Sequence, residues 1–169
     1  MMLKPKPITT QNQKTLLVVC TGNLYRSPVA TVFIQHRLKQ SNLQGLISVV
    51  SAGLGAVSGQ EVPSEIVNLV WENYGLDLSE HLAQPLTTEL FQNADLVLVM
   101  EQQQLMRLAQ QYPRQTKRLK LISELSGQIY DIPDALTNSS LDIAKTTEQL
   151  HALITRNLIT LLQWVKLEI

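Results

Sequence analysis

Residues 18–30 read VVCTGNLYRSPVA, and no other stretch restricts the possible folds so sharply. Thr15 to Val19 is a short apolar run rich in β-branched residues, the pattern of a strand buried on both faces of a parallel sheet. Pro28 stands where a helix begins, at a first-turn position that tolerates its missing N–H, and Ala30, Phe33, Ile34 and Leu38 then follow helical spacing. A strand therefore runs through a short loop straight into a helix. In open parallel sheets ligands bind beyond the carboxyl ends of the strands, where this loop falls.

The remainder repeats the alternation. Ile47 to Ser51 reads as a second strand ended by Gly53 and Gly55, and residues 54–62 form a glycine-punctuated loop. Pro63 and Ser64 open a helix with Ile66, Leu69, Val70 and Tyr74 on one face, closed by Gly75. Leu96 to Met100 is the clearest later strand, Gln102 to Gln111 a helix stopped before Pro113, and Leu119 to Ile122 a short strand. From Leu141 onward, Leu150, Leu153, Ile154, Leu158, Leu161, Leu162 and Val165 mark one long amphipathic helix. Such alternation predicts an α/β fold, a small doubly wound domain with helices on both faces of a parallel sheet. Residues 1–14 are polar with two prolines and read as a flexible tail without the apolar core of a secretory signal; residues 15–169 form the domain. Trp71 and Trp164 read as core, His36 and His151 as solvent-facing.

The chemistry of the loop follows from its residue types. It wraps onto a helix N-terminus, where free backbone N–H groups and the helix dipole favour an anion. Gly22 frees the backbone to turn successive N–H groups toward one point. Arg26 brings a planar fork suited to two phosphoryl oxygens. Cys20 opens the cradle; a free thiol titrates near about 8.5 and is lowered by a helix N-terminus and a guanidinium, so the pocket that binds phosphate also activates the nucleophile. Thr21, Gly22, Asn23, Leu24, Tyr25 and Ser27 complete the phosphate-binding loop. Asp131 and Asp134, both in YDIPDA, are the carboxyl groups available to protonate a departing oxygen.

Composition excludes several classes. The 14 basic residues balance the 14 acidic ones, so no global field recruits nucleic acid or an anionic membrane. The one cysteine rules out an intramolecular disulfide and a multi-thiolate metal site. No metal or cofactor is expected, and a cytoplasmic location is.

The segment resembles the low-molecular-weight protein tyrosine phosphatases, whose loop reads C-x-G-N-x-x-R-S-P. The resemblance extends through Ser51-Ala52-Gly53, the stretch from Tyr74 to His81, the strand from Ala94 to Met100, and Ile132-Pro133-Asp134. It implies a four-stranded parallel sheet and hydrolysis of phosphotyrosine in a protein substrate through a phosphocysteine intermediate. Cys20 would be the nucleophile, Arg26 the phosphoryl clamp and Asp134 the general acid. Asn23, Ser27, Ser51 and His81 would hold the loop, and phosphate or sulfate could occupy it.

The chain departs from the pattern at Ala135 and Leu136, where the family has proline and an aromatic; at Tyr25, where many members carry a second cysteine; and at Gln84, where the family has arginine. Tyr25 is read as an aromatic edge of the pocket. The related protein arginine phosphatases resemble the stretch from Pro85 to Leu90 and Leu141-Asp142-Ile143, but aliphatic Leu24 resembles the tyrosine-specific members. A catalytically weak phosphate-binding interaction module and a single-cysteine arsenate reductase are the remaining alternatives.

Overall fold

The computed structural model describes residues 13–167. Four strands, β1 (Lys14–Cys20), β2 (Ile47–Gly53), β3 (Leu96–Val99) and β4 (Leu119–Leu121), form one sheet in the order β2-β1-β3-β4. Every pairing is parallel. The helices are α1 (Arg26–Gln40), α2 (Ser64–Tyr74), α3 (Thr88–Asn93), α4 (Gln102–Gln111), α5 (Ile143–Arg156) and α6 (Leu158–Trp164), with short 3₁₀ turns either side of β4.

The period-two geometry of β1 divides the interior. Leu16 and Val18 face a cluster built from α1, α2, α5 and α6, while Leu17 and Val19 face one built from Phe91 of α3 and Leu108 of α4. A strand apolar on both faces can only be satisfied between two helical layers, which is why TLLVV shows no polar alternation. Each fully buried aliphatic side chain here contributes about 1.5–3 kcal/mol relative to exposure.

Several expectations need correction. The single long helix breaks at Asn157 (φ −122, ψ 26). There the Asn157 side-chain amide donates to Leu153 O at 2.7 Å, taking the carbonyl that a continuing helix would pair with the backbone N–H of residue 157. Trp71 is 60% exposed, because α2 buries Ile66 and Val70 and Trp71 lies about 100° around the helix from Val70. Trp164 is half-buried, with Lys120 Nζ 4.9 Å above its ring. His36 and His151 are half-buried; the His151 ring packs 4.9 Å from Phe33 and 4.7 Å from Tyr74, and burial lowers its pKa. Six-residue α3, capped by Thr87 Oγ1 accepting from Leu90 N at 3.1 Å, is too short to show helical periodicity in sequence. The expected tail falls outside the described residues up to residue 12, and Lys14 already pairs with Ile47 in β1. No described helix is long and apolar enough to cross a membrane.

Candidate active site

β1 pairs with β2 on one side and with β3 on the other. The connections leaving the carboxyl ends of β1 and β3 therefore diverge and open a crevice between them. Cys20 ends β1, and Glu101 follows β3 by two residues.

The loop from Cys20 to Tyr25 is held from outside through its carbonyls. Leu54 N donates to Cys20 O and Gly55 N donates to Thr21 O, both at 2.9 Å. The Asn23 carbonyl meets His81 Nε2 at 3.0 Å. A carbonyl only accepts, so His81 carries its proton on Nε2. Desolvation lowers the His81 pKa, which favours the neutral imidazole in this position. The carbonyls are thus drawn to the segment after β2 and to His81, while Asn23 N turns to the Cys20 sulfur.

The left-handed residue in this loop is Asn23, at φ 56, and not Gly22, as the sequence reading had supposed. A Cβ on Gly22 would meet nothing closer than Leu24, at 3.9 Å. Asparagine is among the few side chains that tolerate the left-handed region, and here every polar group it owns is engaged. Its Nδ2 donates to Ser27 Oγ (2.8 Å) and Ser51 Oγ (2.9 Å), and its Oδ1 accepts from Gln84 N (2.9 Å). The glycine that sterics demand is Gly53, opposite Cys20 in the sheet register. A Cβ there would lie 2.6 Å from Thr21 O and 3.0 Å from Asn23 N.

Cys20 is 2% exposed, and its Sγ accepts from Asn23 N at 3.3 Å and lies 3.0 Å from Ser27 Oγ. Ser27 already accepts from Asn23 Nδ2, so its own hydroxyl proton is free to point at the sulfur. Two donors thus converge on one sulfur at the N-terminal end of α1.

Arg26 is 1% exposed. Its Nη1 pairs with Glu101 Oε1 and donates to Ile132 O at 2.8 Å, while Nη2 lies 3.4 Å from Asp134 Oδ2. One guanidinium thus ties together the helix after β1, the turn after β3 and the segment carrying Asp134. Asp134 Oδ1 accepts from Leu136 N at 3.2 Å, a local turn that steadies the carboxyl group. Asp131 points elsewhere: its Oδ1 accepts from Gln102 N at 2.8 Å, at the N-terminus of α4. Of the two aspartates, Asp134 is the one brought to Arg26.

Tyr25 is buried and does not edge the pocket, which corrects the sequence reading. Its hydroxyl donates to Ile143 O (2.9 Å) and lies 2.9 Å from Thr147 Oγ1, joining the loop to the start of α5. Desolvation, aided by the nearby Asp134 charge, pushes its pKa up to about 12. Thr21 is exposed and its Oγ1 accepts from Gln104 Nε2 at 3.1 Å; Gly22 and Leu24 are half-buried. Ser51 and His81 both sit against Asn23.

Three participants escaped the sequence reading. Glu101 braces Arg26; Gln104 caps the turn after β3 through its Oε1, which accepts from Met100 N (2.9 Å) and Glu101 N (3.1 Å); and Gln84, noted only as a departure, donates from Nε2 to Ser51 O at 2.8 Å. Glu101 carried a usable signal, an acidic residue just past the carboxyl end of a buried parallel strand.

The model of the family described as "Low molecular weight phosphotyrosine protein phosphatase" matches residues 15–168. "Probable low molecular weight protein-tyrosine-phosphatase EpsP" of Ralstonia nicotianae is 43% identical over 121 residues, covering 72% of this chain and 77% of that protein. "Protein-arginine-phosphatase" of Bacillus subtilis is 33% identical over 134 residues, 78% of this chain and 85% of that one. Among solved structures, the low molecular weight protein tyrosine phosphatase from T. tengcongensis superposes with a TM-score of 0.79 at 34% identity, covering 88% of this chain and 99% of that one.

Proposed function

The chain belongs to the low molecular weight phosphotyrosine protein phosphatase family, and from that premise we propose how its own residues divide the reaction. It is a hydrolase of phosphomonoesters that removes phosphate from phosphotyrosine in proteins through a phosphocysteine intermediate. Cys20 is the nucleophile. Its thiolate attacks phosphorus, the bond to the tyrosyl oxygen breaks, and Asp134 gives that oxygen a proton. Water then attacks the phosphocysteine with Asp134 taking a proton back, and Cys20 leaves as thiolate, helped by the Ser27 hydroxyl. Arg26 and the inward-facing loop amides hold the equatorial oxygens, where charge is greatest in a loose phosphoryl transition state. For Arg26 and Asp134 this means exchange: the dianion competes for a guanidinium that Asp134 approaches in the free enzyme, releasing the carboxyl group toward the leaving oxygen.

The observation that carries this assignment is the pair of donors converging on Cys20 Sγ, Asn23 N and the Ser27 hydroxyl. The test is Cys20→Ser against the parent enzyme with a phosphotyrosine peptide and with a simple aryl phosphate. Turnover of both is expected to fall at least about a thousandfold, because a serine hydroxyl is far less ionised at neutral pH. Rapid-quench trapping with labelled substrate is expected to mark Cys20 in the parent enzyme. Retained turnover in the serine variant, or label on another residue, would remove Cys20 from the role.

The likeness to a protein arginine phosphatase favours a second reading, phosphoarginine as substrate. Aliphatic Leu24 supports the tyrosine reading. Phosphate release from matched phosphotyrosine and phosphoarginine peptides separates them, with the tyrosine peptide expected to be faster. Phosphate and sulfate are expected to compete with substrate in the loop. Nucleic acid and membrane are not expected partners, and the location is inferred to be cytoplasmic.

A further inference from the structure

At the carboxyl-end rim of the sheet, a cleft of about 430 Å³ separates the first turns of α2 from the segment that follows Asp134 and opens α5. Leu69, Leu136, Leu141 and Ile143 supply apolar walls, and the charged groups lining it are Glu65 and Asp142. Neither carboxylate forms an ion pair among the described residues. Asp142 spends one oxygen capping α5, accepting from Lys145 N at 3.1 Å, which leaves its other oxygen for a ligand.

The cleft is linked to the phosphate loop through two of its lining residues. Ala135, on its lining, directly follows Asp134, and Ile143 accepts the Tyr25 hydroxyl at 2.9 Å. The neighbouring sites have opposite electrostatics: Arg26 and the loop amides suit a dianion, and this cleft suits a cation. Apolar walls under carboxylates match a long side chain with an aliphatic stem and a charged head.

We propose that this cleft receives a lysine or arginine side chain flanking the phosphotyrosine of the substrate protein, an inference that rests on the phosphatase reading above. The substrate is then recognised as a dipole, phosphate in the loop and a basic residue beside it. An acidic residue at that place meets two uncompensated carboxylates and is rejected.

The test uses phosphotyrosine peptides with lysine, alanine or glutamate on either side, and the variant Glu65→Gln/Asp142→Asn, in which asparagine keeps the helix cap. At low salt the parent enzyme is expected to favour the lysine peptide over the glutamate peptide in kcat/KM by about fivefold, the range of exposed ion pairs. That ratio is expected to fall toward one in the double variant and at high salt. Turnover of p-nitrophenyl phosphate, which has no flanking residue, is expected to be the same in both enzymes. Equal rates for all three peptides in the parent enzyme, or a lysine preference that persists in the double variant, would overturn the inference. Absence of aryl phosphate turnover would instead count against the phosphatase reading; peptide affinities measured on Cys20→Ser, with and without the two substitutions, would then still report on the cleft.

Discussion

The two loops that meet at Arg26 are built in opposite ways. The phosphate loop is over-determined: the carbonyls of Cys20, Thr21 and Asn23 and the whole side chain of Asn23 are each engaged by a neighbouring element. Around Asp134 the backbone is held as well, with Ile132 N donating to Met100 O and Ile132 O accepting from Arg26, but the Asp134 carboxyl group itself is 24% exposed and tied by a local turn and a 3.4 Å approach to Arg26. Ile129, just upstream, is 69% exposed. The difference follows from the tasks. A cradle for a dianion acts by being in place before substrate arrives, since preorganised donors cost no reorganisation during the reaction. The proposed proton donor must change partners within one turnover, so its carboxyl group keeps few competing bonds.

Arg26→Lys attacks the point the two loops share, and the largest loss is expected there. Lysine keeps the charge but cannot span Glu101, the Ile132 carbonyl and a phosphoryl group at once, so kcat with phosphotyrosine peptide is expected to fall about 10²–10³-fold. A fall of less than about tenfold would mean the planar fork is not what stabilises the transition state. Asp134→Asn probes the carboxyl group alone. Turnover of poor leaving groups is expected to drop by about 10²-fold while p-nitrophenyl phosphate loses far less, because its leaving group needs little protonation. Equal losses on both substrates would assign Asp134 a positioning role instead of proton transfer.

Asn23→Ala probes the rigid side. It strands Ser27, Ser51 and the Gln84 N–H and places an intolerant residue at positive φ, for a loss of about 2–4 kcal/mol in unfolding free energy. The matching fall in Tm is about 5–10 °C, measurable by calorimetry. An unchanged Tm would show that the loop does not depend on this residue. Tyr25→Phe is the mildest change, about 1–2 kcal/mol from loss of the hydroxyl's bonds with Ile143 O and Thr147 Oγ1. It carries a pH signature as well. Burial pushes the folded-state pKa of Tyr25 up to about 12 from the ordinary tyrosine value near 10, so the neutral phenol is favoured by folding. The parent enzyme should therefore lose stability as pH rises above 10, where the unfolded tyrosine ionises first. The phenylalanine variant should lack that component in denaturation curves.

Much of this is legible in the sequence. The order of strands and helices followed from apolar periodicity, and α2 and α4 have the expected ends because glycine and proline act locally at Gly75 and Pro113. Cys20, Arg26 and Ser27 were identifiable because one loop carries all three within a strand-to-helix frame. The errors have a shared cause. Gly22 was credited with a conformation that Asn23 adopts, Tyr25 was assigned to the pocket although it points into α5, and Trp71 was placed in the core although it faces solvent. Each depends on which way one residue turns, and composition at a position does not record direction.

The residues in order determined that a buried strand would deliver a cysteine to a helix N-terminus, because apolar pattern and the missing N–H of proline act over a few positions. Only the tertiary structure decided that Glu101, Asp134 and the Ile132 carbonyl meet on Arg26, and that Gln84, Ser51 and His81 converge on Asn23. Those partners are separated by 28 to 108 positions in the chain, as from Asn23 to Ser51 and from Arg26 to Asp134. Such meetings are set by the packing of both helical layers onto one sheet, and no local preference encodes them.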